Sequence, residues 1–334
     1  MTVRVGVIGV GNIGTSHARN LARSVAGSEV TMVFDADRGR ASQLGEELGA
    51  EVVDTAEQLI ASDAVDAVLI ASPDAFHSEQ AMMCLAAAKP TLCEKPLAPD
   101  ESDARRVIDA EVALGRRLIT MGFMRRFDPG YVALKAELAS GAVGVALMVH
   151  NVHRNTRAPY GLTSAGTLTN SAIHEMDINR WLLDDEYTSV TVLTGRPAPN
   201  TPAGEHDPLL IVFESAAGVL VEIEAFVNAG YGYEVQCDVV GSEGTARMGD
   251  GSYITLSRDG RRGQGVPELW LGRFQDAYRL QLQAWIDHLL GRVPPVGASA
   301  WDGYVGAIVA NRAIEALRTG SRVPITLPDR PALY

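Results

Sequence analysis

Val3-Arg4-Val5-Gly6-Val7-Ile8 is a compact apolar run that leads without a break into Gly9-Val10-Gly11-Asn12-Ile13-Gly14, after which Thr15–Ser24 reads as a helix. Strand, G-x-G-x-x-G turn and helix stand here in the order that a dinucleotide-binding site requires. Each glycine has its own task. Gly9 permits the tight turn, Gly11 lets the backbone approach a pyrophosphate, and Gly14 lets the helix lie close on the strand. The helix start, with Asn12 and Ile13, offers free N–H groups and the positive end of its dipole to an anion.

Working outward, Glu29–Phe34 reads as a second strand that ends at Asp35, 21 residues beyond Gly14. A carboxylate there accepts hydrogen bonds from the hydroxyls of an adenosine ribose and repels a 2′-phosphate, which favours NAD over NADP. Arg38 argues the other way, since a nearby arginine accommodates that phosphate.

The alternation continues downstream. Helices are expected at Arg38–Leu48, from Thr55, within Ser72–Ala88 and at Pro99–Leu114, and strands at Glu51–Val53, Ala64–Ala71, Thr91–Cys93 and Arg117–Met121. Strands that alternate with helices of this length predict a doubly wound parallel sheet. Ligands of such sheets sit beyond the carboxyl ends of the strands. That rule puts Gly9–Gly14, Asp35, Ser72-Pro73, Glu94-Lys95 and Gly122 on one rim.

From Phe123 the pattern changes. Pro129–Leu138 reads as a helix, Gly144–Arg154 as a long strand, Asn155–Leu168 as a polar loop and Ser171–Leu183 as a helix. Strands follow at Tyr187–Thr194, Leu209–Glu214, Val219–Val227, Tyr233–Gly241, Gly244–Met248 and Tyr253–Ser257, joined by short turns that suggest hairpins. Pro197–Pro208 and Asp259–Trp270 read as loops, and Phe274–Leu290 and Trp301–Thr319 as closing helices. The expected architecture is α/β: a dinucleotide-binding domain over residues 1–122, then an α+β domain with a large, mainly antiparallel sheet over 123–334. Helix 301–319 is a candidate to pack back on the first domain.

At 334 residues the chain is long enough for two domains. A net charge of −12 argues against nucleic acid or an anionic membrane as partner. Three scattered cysteines (Cys84, Cys93, Cys237) point to a reducing compartment without disulfides. With no C-x-x-C and scattered histidines, no metal site is expected. The first residues are already strand and no long apolar run follows, so a cytoplasmic location is expected.

Two side chains stand out as able to do chemistry. Lys95 lies at a strand's carboxyl end within Glu94-Lys95-Pro96, where an ammonium can hydrogen-bond a hydroxyl under oxidation; the plainer alternative is a surface lysine before a proline. His174 lies on a helix with Asn170, Asp177 and Trp181 at i−4, i+3 and i+7, one face of an α-helix. Its imidazole suits proton removal near neutrality, with Asn170 or Asp177 to orient the ring; a buried structural histidine is the alternative. His153 and His77 carry weaker signals.

Together, Gly9–Gly14, Ser72-Pro73 with His77, Glu94-Lys95-Pro96 and the His174 helix resemble the glucose–fructose oxidoreductase, inositol dehydrogenase and rhizopine catabolism (Gfo/Idh/MocA) family over essentially the whole chain. Segments such as Val152-His153-Arg154-Asn155, Ile173-His174-Glu175-Met176-Asp177, Tyr231–Cys237 and Ala300-Trp301-Asp302-Gly303-Tyr304 add to the likeness. The resemblance implies NAD-dependent oxidation of a secondary alcohol of a cyclic polyol, myo-inositol at carbon 2 being the leading expectation. Another inositol isomer, an aldose, or a non-catalytic NAD-binding sensor are the alternatives. It also implies roles: Gly9, Gly11, Asn12, Ile13, Gly14, Asp35, Ser72, His77, Glu94 and Lys95 around the cofactor; Lys95, His174 and Asn170 in catalysis; and Arg125, His153, Tyr233 and Tyr278 beside them on substrate. A homotetramer built on the C-terminal sheets is implied as well. The chain departs from the family pattern at Asn170, where an aspartate is expected four residues before the histidine. An amide there keeps the shape but withholds the negative charge that would strengthen the base.

Overall fold

The computed structural model describes residues 2–158, 163–248 and 255–334. The chain forms two compact units: Met1–Phe127 with Asp276–Ala307 and Pro328–Tyr334, and Asp128–Gln275 with Ile308–Leu327.

In the first unit, β1 (Val3–Ile8), β2 (Ser28–Phe34), β3 (Glu51–Val52), β4 (Ala67–Ile70), β5 (Thr91–Cys93) and β6 (Ile119–Met121) are parallel, in the order β6-β5-β4-β1-β2-β3. Val7 pairs with Val33 on one side and Leu69 on the other. The order therefore reverses between β4 and β1, and a ligand crevice opens beyond such a reversal. Ala298–Ser299 adds an antiparallel edge strand beside β6. Helix Asn12–Arg23 buries Gly14, His17, Ala18 and Leu21, a stripe at helical spacing that packs on the sheet. Val5, Val7, Leu21, Val33 and Leu69 are wholly buried, and Leu282, Trp285 and Ile286 from the returning segment join the same core.

In the second unit, β7 (Ala146–Arg154), β8 (Tyr187–Thr194), β9 (Leu209–Ser215), β10 (Leu220–Phe226), β11 (Glu234–Gly241) and β12 (Thr245–Arg247) follow the order β12-β11-β7-β10-β9-β8, with Val323–Pro324 on the β8 edge. The pairs β8–β9, β9–β10, β11–β7 and β11–β12 are antiparallel. β7 and β10 run parallel, Val149 against Val221, so this sheet is mainly antiparallel around one parallel pair. Val149, Asn151 and His153 of β7 are buried, and the alternate His150, Val152 and Arg154 stay half-exposed.

Two local expectations are corrected. Residues 164–168, read as the end of a polar loop, are helical: Ser164–Gly166 is α-helical and opens onto a π-wound stretch, Thr167–Ser171. The segment read as a loop from Asp259 holds a strand, Arg261–Gln264, paired with Thr255–Arg258. Both mistakes arise because polar, glycine-bearing stretches lack the apolar periodicity by which an element announces itself. The expected strand start at Tyr253 lies outside the described residues. Among the described residues, no helix is long and apolar enough to cross a membrane.

Candidate active site

The crevice of the first unit is built by what its glycines leave out. Gly9 turns the chain with φ of 85° while its N–H donates to the Phe34 carbonyl at 2.8 Å. A Cβ on Gly9 would lie 2.5 Å from the Ala71 carbonyl and the Ser72 nitrogen, at the end of β4. A Cβ on Gly14 would lie 1.9 Å from the Gly9 oxygen. A Cβ on Gly11 would meet nothing within 4 Å. The first two glycines thus permit the packing, whereas Gly11 faces open space at the start of the helix. No side chain caps that helix, so its first-turn N–H groups remain for an anion.

Asp35, at the end of β2, accepts the N–H of Val10 at 2.8 Å, the N–H of Asp37 at 2.7 Å and the Arg40 guanidinium at 2.9 Å. Burial pushes its carboxyl up, but these donors outweigh it and hold the group below its usual value. Arg38, the candidate to accommodate a 2′-phosphate, pairs with Asp54 instead. An ionised carboxylate next to the glycine turn, an uncapped helix start and open space at Gly11 fit NAD.

Ser72 donates its hydroxyl to Gln80 at 2.7 Å. His77 is buried, with Nδ1 2.7 Å from the Pro96 carbonyl and Nε2 2.8 Å from that of Ser72, and so ties the turns after β4 and β5 together. The Lys95–Pro96 bond is cis. Glu94 turns inward, meeting the ring of His17 at 2.8 Å and the N–H of Lys95 at 3.3 Å. Burial pushes the Lys95 ammonium below its usual value; Glu94 and Asp74 resist that and the buried Arg125 adds to it. Tyr278, expected in the substrate domain, belongs to the first unit, where its ring meets that of His17 edge-on at 5.4 Å.

In the second unit one continuous helical segment carries Asn170 and His174. Its start is held twice: Thr163 accepts the N–H of Gly166 at 2.9 Å, and Glu205 accepts the N–H and hydroxyl of Ser164. Asn170 sits on the π-wound stretch and is exposed, whereas His174 and Asp177 on helix Ile173–Leu183 are buried. The wider π winding interrupts the α-helical period on which their shared face was predicted. His153 is fixed by Glu175 at 2.8 Å and Asn155 at 3.1 Å, and the Tyr233 ring meets it edge-on at 5.7 Å.

The sequence reading missed His17 and the Glu175–His153 contact. His17 shares the helix stripe of Ala18 and Leu21 and so hides among packing positions. Glu175 stands beside His174 and belongs to no motif of its own.

The family model described as oxidoreductase family, NAD-binding Rossmann fold matches residues 3–123, and that of the family's C-terminal alpha/beta domain matches residues 135–327. Inositol 2-dehydrogenase 1 of Saccharopolyspora erythraea is 47% identical, covering 100% of this chain and 99% of that one. Inositol 2-dehydrogenase of Cereibacter sphaeroides is 45% identical over the full length of both. The crystal structure of myo-inositol dehydrogenase from Lactobacillus casei, in complex with NAD(H) and myo-inositol, superimposes with a TM-score of 0.96 at 34% identity over all of both chains.

Proposed function

Because the chain belongs to the Gfo/Idh/MocA oxidoreductase family, we propose that it is an NAD-dependent dehydrogenase that oxidises myo-inositol at carbon 2 to 2-keto-myo-inositol. The observation that carries this reading is full-length identity of 47% to an inositol 2-dehydrogenase. That likeness spans both units.

When bound, NAD⁺ supplies the hydride acceptor. The helix start at Asn12, Ile13 and Gly14 holds the pyrophosphate, with Gly9 and Gly11 giving it room, and Asp35 accepts from the adenosine ribose. Ser72, His77 and Glu94 shape the turns beside it. His174 takes the proton from the reacting hydroxyl as general base, oriented by Asn170. Lys95 donates to the same oxygen and stabilises negative charge as it builds. Arg125, His153, Asn170, Tyr233 and Tyr278 meet the remaining hydroxyls. A polyol needs many such partners, and each buried group left unpaired costs about 1–3 kcal/mol.

Residues 1–122 serve the cofactor and 123–334 the substrate and assembly. The half-exposed face of the second sheet is the surface on which a homotetramer forms, in the cytoplasm. Asn170 favours a second reading, in which the substrate is another inositol isomer or an aldose, because it replaces an expected substrate-facing aspartate.

Steady-state turnover of myo-, scyllo- and D-chiro-inositol and glucose with NAD⁺ and NADP⁺ tests the proposal. The highest kcat/KM is expected for myo-inositol with NAD⁺. A higher value for another substrate transfers the assignment to it, and no turnover of any overturns it.

A further inference from the structure

We propose that His17 is a positioning residue for the reaction: its ring N–H holds the Glu94 carboxylate, and with it a negative charge, against Lys95. This rests on the reading of Lys95 as the donor to the reacting hydroxyl.

The geometry is specific. His17 is wholly buried on helix Asn12–Arg23, and Glu94 is 6% exposed after β5. His17 Nε2 lies 2.8 Å from Glu94 Oε1. The other carboxylate oxygen accepts the backbone N–H of Lys95 at 3.3 Å. Gly122, on the neighbouring strand's end, leaves room for this carboxylate, since a Cβ there would lie 2.8 Å from Glu94 Cδ. Tyr278 packs edge-on against the His17 ring, their planes 75° apart.

Packing alone does not account for a histidine here. Its Nδ1 is buried with no hydrogen-bond partner among the described residues, a cost that a leucine of similar bulk would not carry. What the imidazole adds is the bond to Glu94. Burial pushes the Glu94 carboxyl up; the His17 bond and then Lys95 outweigh this and hold it below its usual value.

Several influences bear on the Lys95 ammonium. Burial opposes its charge, Glu94 and then Asp74 favour it, and Arg125 opposes it. His17 and His77 pack on the same turns, the first through Glu94 and the second through the Pro96 carbonyl. Without the His17 bond, the buried carboxylate takes up a proton and Lys95 loses the counter-charge of Glu94, which favours its ammonium more than Asp74 does. The ammonium then gives up its proton at a lower pH, and with it the ability to stabilise a developing alkoxide.

The chain has only three lysines, Lys89, Lys95 and Lys135, so ¹³C-lysine labelling of the full-length enzyme, with and without NAD⁺, resolves each ε-carbon by NMR. The Lys95 signal is identified by its loss in Lys95→Met. In His17→Leu it is expected to titrate about one pH unit or more below the wild type, the scale of a nearby opposite charge. The alkaline loss of kcat/KM moves down with it. His17→Gln, whose amide N–H offers a donor to Glu94, is expected to stay near the wild type on both measures. An unmoved Lys95 titration in folded His17→Leu overturns the proposal, as does a His17→Gln that behaves like His17→Leu. Should His17→Leu fail to fold, Glu94→Gln is read in its place, and an unmoved titration there overturns the proposal equally. Turnover that survives in Lys95→Met overturns the catalytic reading of Lys95 instead, so the two ideas fail by different results.

Discussion

The N–H of Val10, inside the glycine turn, donates to the carboxylate of Asp35 at the end of the neighbouring strand, over 2.8 Å. This bond makes the glycine turn and Asp35 one unit. Asp35→Ser is expected to lower kcat/KM for NAD⁺ by about tenfold or more, the value of a charge-assisted hydrogen bond of about 1.5–3 kcal/mol. Discrimination against NADP⁺ falls with it. Steady-state kinetics with the two cofactors check both, and an unchanged NAD⁺/NADP⁺ ratio would show that Asp35 is not the selector.

Gly11 and Gly14 are expected to fail differently when given a methyl group. Gly14→Ala forces a Cβ to 1.9 Å from the Gly9 oxygen, so the helix must move and thermal stability drops. Gly11→Ala meets open space, so it folds with near wild-type stability but weakens NAD⁺ binding. Calorimetric unfolding and NAD⁺ titration on both variants separate the two effects.

Glu94 predicts a pH dependence of stability. Its carboxyl is buried and held below its ordinary value of 4.5. A depressed folded-state value stabilises the fold above the unfolded value, and that stability is lost as pH falls through the folded one. Glu94→Gln cannot ionise. It should therefore be less stable than the wild type at pH 7, with the gap closing as the pH drops below about 4.5. Parallel melting curves at all pH values would contradict this.

Asn170→Asp is expected to raise the kinetic pKa of His174. A negative charge nearby favours the imidazolium, so the acid limb of the pH–rate profile moves to higher pH. An unchanged profile counts against Asn170 as the orienting group.

Glu175→Ala withdraws a carboxylate from His153 where both groups are buried, and is expected to cost about 1–3 kcal/mol in stability. Glu175→Gln retains a hydrogen-bonding group and should recover part of that loss in urea unfolding. Equal losses in both variants would show that charge, not hydrogen bonding, holds the pair.

The nucleotide-binding half was readable from the chain because its signals are local. A strand, three glycines with distinct steric tasks, a helix and a terminal aspartate lie within 35 residues, and each is visible as periodicity or as a residue type that only one backbone can use. Lys95 and His174 stand out as candidates through their local motifs, and the family likeness runs through the whole chain. The tertiary structure decided which distant groups meet. His17 and Glu94 stand 77 positions apart, and β7 inserts between β11 and β10 to make a parallel pair that hairpin patterns do not foretell. Hydrophobic period says which face of an element is buried. It does not say which polar groups share that burial, because a hydrogen bond between buried side chains depends on strand order and helix placement, which the whole core determines together.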